Sequence, residues 1–333
     1  MSPNTDDRGE FDPTVQTEDI SFRPSEMIAC SGCKRMNPPN RTSCLYCAKA
    51  LELGPENADA VRLNLRKLDP WENGWNLVVE NSQGAEPDLG SISRLLDLDK
   101  LEIAEILNAG LPLPITRLAT ETDAKLAAER LVDAGIKCRI IEDAVLGLDR
   151  LPVRLKKIEL IAQGMTVVDF NTGLSTEIEF GDLALIVIGT LTTSRTDSAE
   201  KKRRRGATTV LHETSTSTDE PVIDIYQRNK RIGFRINQAG FDFSCLRDEK
   251  SLLAGENMAR LVALMNERSP DSKVVDTYDR LKDVLSIVWK VEARRDIQGL
   301  QRVGFGKREF GTVATTNNLE QFTRFSRLQW HLL

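Results

Sequence analysis

Histidine is almost absent from this chain: His212 and His331 are the two among 333 residues. His212 lies in a Ser/Thr-rich stretch and His331 is almost at the last position, so no rigid element is expected to orient either one as a general base. Ser-His-Asp and Cys-His arrangements thereby lose their base. Gly-x4-Gly-Lys-Ser/Thr does not occur, and Gly304-Phe305-Gly306 is followed by Lys307, Arg308, Glu309, Phe310 and Gly311. That is not the Gly-x-Gly-x-x-Gly of a dinucleotide site. Carboxylates abound, but a sequence cannot pair them across a fold. The expectation is a protein with no catalytic residue, no bound organic cofactor and no small-molecule substrate. No run approaches about eighteen apolar residues, so no segment is expected to span a bilayer. The start, MSPNTDDRGE, is polar and acidic and does not read as a signal peptide, which points to the cytoplasm.

Charge of one sign is also missing from most of the chain. The net charge is −5, and residues 1–29 carry all of it, with Asp6, Asp7, Glu10, Asp12, Glu18, Asp19 and Glu26 against Arg8 and Arg23. The remainder is nearly neutral, which excludes a global polyanion-binding argument. Residues 1–26 are polar and Pro-spotted and read as a disordered arm.

Cysteine is scarce but patterned. Four of the six cysteines fall in ACSGCKRMNPPNRTSCLYCAK, as Cys30-x2-Cys33, ten residues, then Cys44-x2-Cys47. Two thiolates two residues apart curl around one ion from a tight turn, and a second such turn closes a tetrahedron. Gly32 is placed where positive φ is expected, and Asn37-Pro38-Pro39 begins the connection as a turn. About twenty residues cannot bury enough apolar surface to fold alone, so a metal would supply the folding free energy. The alternatives are a disulfide pair, which needs an oxidising compartment, or free thiols. Cytoplasmic placement and spacing together favour structural Zn2+ held by Cys30, Cys33, Cys44 and Cys47, a closed site with no position for substrate. Cys138 and Cys245 are isolated and read as buried structural thiols.

The pattern Cys-x2-Cys-x3-Asn-x6-Cys-x2-Cys resembles the short zinc ribbons at the ends of many bacterial proteins. It is also similar to the Ran-binding-protein type of zinc finger, whose RNA- and ubiquitin-binding members usually carry a Trp just before the first Cys. Met27, Ile28 and Ala29 stand there in this chain. The resemblance spans residues 27–53 and implies zinc, leaving the ligand of the module open.

Residues 54–90 read as a linker: Val61, Leu65 and Leu68 mark a short amphipathic helix and NLVVE a strand. Residues 91–148 read as a small α+β unit of ferredoxin-like style. LLDLDKLEIAEILNAG is a helix, LPLPITRLA a strand, TETDAKLAAERLVDAG a helix capped by Thr120 or Thr122, and IKCRIIED a strand. Over 149–268 come four strands (RLPVRLKKIELIA, MTVVDF, STEIEF, LALIVIGTL), then PVIDIYQ, RIGFRI and FDFSC. The helix of Met258, Leu261, Val262 and Met265 follows. Ile232, Phe234, Ile236, Phe241, Phe243 and Cys245 fall on one face, and Arg231, Gly233, Arg235, Asp242 and Ser244 on the other, which predicts a one-sided buried antiparallel sheet. Four strands, three strands and a closing helix resemble, by element order alone, the pleckstrin-homology-like barrel. Residues 269–333 read as C-terminal helices, with Leu319, Phe322, Phe325 and Leu328 at core spacing although arginines lie among them.

The fold class expected is therefore α+β multidomain: an N-terminal zinc ribbon, a ferredoxin-like α+β unit, a pleckstrin-homology-like barrel and C-terminal helices. Residues 192–220 are expected to be a flexible loop within the barrel. It holds Lys201, Lys202, Arg203, Arg204 and Arg205, a candidate anion contact or a plain solvated charge run. Three functions follow. The first is a non-catalytic interaction or scaffold protein, the ribbon and the small α+β unit presenting surfaces to a protein partner and the barrel serving as scaffold. The second is a nucleic-acid-associated factor using Lys34, Arg35, Arg41 and the basic run. The third is attachment to an anionic membrane surface through that run.

Overall fold

The computed structural model describes residues 22–23, 26–52, 63–80, 87–203, 209–228, 230, 232–304 and 307–333. Most of the acidic arm, together with Val61, Arg204 and Arg205, lies outside them. The chain divides into two compact units, Met1–Asn64 and Leu65–Leu333. The first has two short strands, β1 (Ile28–Ala29) and β2 (Met36–Asn37), paired antiparallel.

The second unit is mixed α and β, and opens on a three-stranded sheet. β3 (Trp75–Val79) is its centre, flanked antiparallel by β4 (Leu113–Leu118) and β5 (Cys138–Glu142). Residues expected in a linker thus supply the middle strand, because Leu77, Val78 and Val79 are buried and bring too much apolar surface for solvent. Leu65 and Leu68 lie in irregular chain rather than a helix. The helix expected over residues 91–110 is two: α1 (Leu89–Leu96), capped by Asp88, and α2 (Lys100–Leu107), opened by an Asp99/Glu102 capping box. Asp97 separates them in the left-handed region at φ 53°, where Asp is one of the few side chains tolerated. α3 (Glu121–Asp133) is capped by Thr120 and buries Ala124, Ala127 and Leu131.

A large curled sheet follows. β6 (Val153–Ile161), β7 (Gly164–Asp169) and β8 (Ser175–Glu179) form an antiparallel meander. β9 (Leu183–Arg203) and β10 (Thr209–Gln227) are a long hairpin, and β11 (Phe234–Asn237) joins β10 antiparallel to β6 in parallel. After α4 (Ala254–Arg268), the short β12 (Lys273–Val275) pairs with the start of β9. Past α5 (Tyr278–Val288), the hairpin β13 (Glu292–Gly304) and β14 (Lys307–Asn317) adds to the far half of β9. α6 (Leu319–His331) ends the chain.

Three expectations change here. FDFSC does not form the seventh strand: Asp242 accepts hydrogen bonds from the Ser244 N–H and hydroxyl, and the chain from Phe243 to Glu249 turns into 3-10 helix broken by a kink at Arg247. Within the expected loop 192–220, the described residues 192–203 and 209–220 are β-strand. β-branched threonines fill the strands, and Ser194–Ser217 and Thr196–Ser215 hydroxyl pairs cross between them. Within the expected helical region 269–333, Glu292–Gly304 and Lys307–Asn317 are likewise paired strands, with Gly299 at a register irregularity.

The sheet is buried on both faces where it meets the body. One face carries Ile186, Ile223, Ile225, Phe234 and Ile236 against Met258, Leu261 and Met265 of α4. Ile232, expected with them, is exposed. The other face carries Asp224, Tyr226 and Arg235 beneath α6, which buries Phe322, Phe325 and Leu328 and its own Arg324 and Arg327. Gly189 permits that approach: a Cβ there would stand 2.6 Å from the Phe322 ring and 2.7 Å from Tyr278.

Candidate metal centre

The sulfurs of Cys30, Cys33, Cys44 and Cys47 all lie within 4.8 Å of one another. Cys30 Sγ is 3.5 Å from Cys47 Sγ, and Cys33 Sγ is 3.5 Å from Cys44 Sγ. A tetrahedron of thiolates about 2.3 Å from one ion has edges of about 3.8 Å, so the four are spaced to share a metal, and none is in a disulfide. Among the described residues no other gathering of Cys, His, Asp and Glu side chains is set for one.

Two turns of the same construction present them. In the first, Lys34 N–H donates to Cys30 O at 2.9 Å and Cys30 N–H to Arg35 O at 3.0 Å. In the second, Ala48 N–H donates to Cys44 O at 3.0 Å and Cys44 N–H to Lys49 O at 2.8 Å. The residue after each second cysteine turns left-handed, Lys34 at φ 63° and Ala48 at φ 56°. Positive φ was expected at Gly32, but the backbone places it two residues later. Gly32 serves by size instead, since a Cβ there would meet the Lys49 side chain at 2.8 Å and two of the sulfurs at 3.6 Å.

Backbone and side-chain donors point at the sulfurs. Gly32 N–H reaches Cys30 Sγ at 3.3 Å, and Tyr46 N–H reaches Cys44 Sγ at 3.4 Å. Asn37 is wholly buried: its amide donates to Arg35 O at 2.9 Å and Cys44 Sγ at 3.4 Å, and its Oδ1 accepts from Leu45 N–H at 2.8 Å. That one side chain ties the first turn to the second, which explains the Asn in the cysteine spacing. Such donors stabilise thiolate and orient it toward a metal.

The thiols respond unequally. Burial pushes Cys44 up, but N–H groups of Tyr46 and Cys47, with Cys33 and Asn37, outweigh it and bring it down to about 6. Cys30 is also lowered, chiefly by the Cys33 N–H. Cys47 has the Lys49 N–H working to lower it, yet the neighbouring sulfurs and burial push it up to about 11. Unpaired thiolates this close repel, so without an ion one position keeps its proton. A dication removes that repulsion and is the species this donor set fits.

The other candidate residues sit elsewhere. Arg35 lies over the Tyr46 ring, 4.6 Å from its centroid, and Arg41 Nε contacts Ser43 O at 3.5 Å. Lys201, Lys202 and Arg203 belong to β9. His212 is in β10 with Nε2 3.1 Å from the Thr214 hydroxyl, and His331 lines a cleft of about 570 Å³ with Arg150, Arg327 and Trp330.

A buried ionic network around α6 was not legible in the sequence. Asp143 accepts from Arg324 at 2.7 Å, Arg117 at 2.6 Å, Gly74 N–H at 2.8 Å and Asn76 Nδ2 at 2.9 Å. Trp289 Nε1 donates to Asn76 Oδ1 at 2.8 Å. Asp224 takes both arms of Arg235 at 2.7 Å, and Tyr226 OH meets Ser326 at 2.7 Å. Burial pushes Arg324 down despite Asp143, whereas at Arg235 the Asp224 partner overcomes burial and raises it. These arginines hold the fold together and are not a ligand surface. No family model, no curated protein and no solved structure matches the chain.

Proposed function

We propose that this is a non-catalytic, cytoplasmic protein-interaction protein whose N-terminal ribbon, held by zinc, docks onto a partner protein. One observation carries the reading. Leu45 and Tyr46, the two residues between ligands Cys44 and Cys47, are 53% and 55% exposed. An ion bound by those cysteines fixes two apolar side chains outward on a module whose core is little more than the cysteines, Ile28 and Leu51. Met36 is exposed as well, and Arg35 over Tyr46 supplies a charged rim, the composition of a docking surface. Zinc is favoured over other ions because four thiolates in tetrahedral spacing with all positions filled suit a structural zinc site. Free thiolates of this kind call for a reducing compartment, hence the cytoplasm.

The larger unit then acts as scaffold. A pleckstrin-homology-like reading of residues 149–268 draws on the β6–β7–β8 meander and the closing α4. The missing seventh strand and the parallel β6–β11 pair depart from it. A ferredoxin-like reading draws on β4 and β5 on either side of β3, joined in the chain through α3.

Cross-linking in the native cell, followed by quantitative pull-down, tests the docking. The double variant Leu45→Ser/Tyr46→Ser, which keeps all four ligands, should retain one metal per chain and lose the partner. If the same proteins are captured in the same amounts, the knob is not the docking surface.

A further inference from the structure

Two hairpins far apart in the sequence finish at the same end of one sheet. β9 ends at Arg203 and β14 begins at Lys307, and these two residues are register partners. Lys202 is likewise opposite Arg308, and Lys201 opposite Glu309. On the other side of β14, Arg302 is the partner of Arg308. Lys202, Arg308 and Arg302 therefore stand abreast on three neighbouring strands, about 5 Å from one strand to the next. Like charges placed directly opposite each other oppose pairing, so this arrangement costs the isolated protein stability and a polyanion would relieve it. At the last register positions, residues 201–203, 301–304 and 307–309, six cations accompany one acid, Glu309, and Glu200 follows one position further back, opposite Val210.

We propose that this end of the four-stranded arm docks end-on against an anionic membrane surface. Successive residues of a strand belong to opposite faces of a sheet. Lys202, Arg302 and Arg308 thus belong to one face, and Lys201, Arg203 and Lys307 to the other. A strand of nucleic acid laid across the arm meets the cations of one face, whereas a plane of anionic headgroups met end-on engages both. Val210 and Leu211, 52% and 55% exposed, follow just behind, Val210 opposite Glu200. Aliphatic side chains beside clustered Lys and Arg are what an interfacial contact uses, the charges drawing the arm in and the apolar groups entering the headgroup layer. Each cation near an anionic leaflet multiplies binding about fivefold, so three of them account for on the order of a hundredfold.

Flotation of the full chain with phosphatidylcholine vesicles, with and without phosphatidylserine, tests this. Binding should need phosphatidylserine and should weaken as salt rises from about 50 to about 200 mM. The variant R302Q/K307Q/R308Q should lower the partition coefficient on the order of a hundredfold, and E309Q should raise it about fivefold. E309Q gains binding and so decides the question even where the triple variant folds poorly. Cys30→Ser should leave vesicle binding intact, which separates this surface from the docking knob. Equal partition of wild type, E309Q and a folded triple variant overturns the proposal. So does arm-dependent binding of an oligonucleotide without binding of vesicles, which would make the arm a nucleic-acid contact.

Discussion

Replacing Asp143 by Asn gives the sharpest test of how the larger unit is held together. The carboxylate is 1% exposed and its two guanidinium partners, Arg117 and Arg324, are 3% and 6% exposed. Asn keeps the shape but removes the charge, leaving two buried cations around one neutral amide whose NH2 faces donors. Breaking a buried ion pair by removing one partner costs about 3–5 kcal/mol, because the survivor keeps its desolvation penalty. Here one substitution strands two survivors, so about 4 kcal/mol is a conservative expectation, against a total stability of about 5–15 kcal/mol. Urea unfolding followed by tryptophan fluorescence is a suitable assay, since Trp289 belongs to the same network through Asn76. With a slope of about 3 kcal/mol per M for a unit of this size, the midpoint should fall by more than about 1 M. Adding Arg324→Leu to Asp143→Asn should recover part of the loss, as one stranded cation is replaced by an apolar group. A loss below about 1 kcal/mol, or no recovery in the double variant, would refute the reasoning and mean that water reaches Asp143.

Further outcomes are expected from the metal centre and from the packing beneath α6. Elemental analysis should find one zinc per chain, and Cys44→Ser should abolish it. Ligands must lose their protons to bind, and Cys47, pushed up to about 11, holds one at neutral pH. Competition titrations should therefore show affinity rising from about pH 6 to about pH 8, by about tenfold per pH unit for each proton released; pH-independent affinity would mean that Cys47 is not a ligand. Asn37→Ala should weaken metal binding by about 10- to 100-fold, the usual loss when a partner of the ligands is removed. Gly189→Ala should destabilise by about 1–3 kcal/mol in thermal unfolding because its Cβ meets two aromatic rings, whereas Gly181→Ala, with nothing within 4 Å, should be nearly neutral.

Much of the local structure could be read from residue order. Thr120 before an alanine-striped helix, the NLVVE strand and the apolar stripe of α4 all rest on neighbours in sequence, and each formed where its pattern lay. The arm could not be read in that way. Threonine, serine and charge in alternation look like solvent-exposed loop, and only the pairing of β9 with β10 and β14 makes them strands. The second face of the sheet was hidden for a related reason. Arg235 on a polar face reads as solvent-facing until Asp224 and α6 are brought over it.

The four cysteines illustrate what sequence by itself determined. Two Cys-x2-Cys turns close in space need only their own short spacing, so the cluster of four sulfurs follows from local geometry, down to the Asn between them. Tertiary structure alone decided that the arginines of α6 are internal, that a linker strand is the centre of a sheet, and that two basic runs end side by side. Each depends on contacts between residues far apart along the chain. Burial and charge pairing are properties of the assembled surface, and no window of sequence contains both partners.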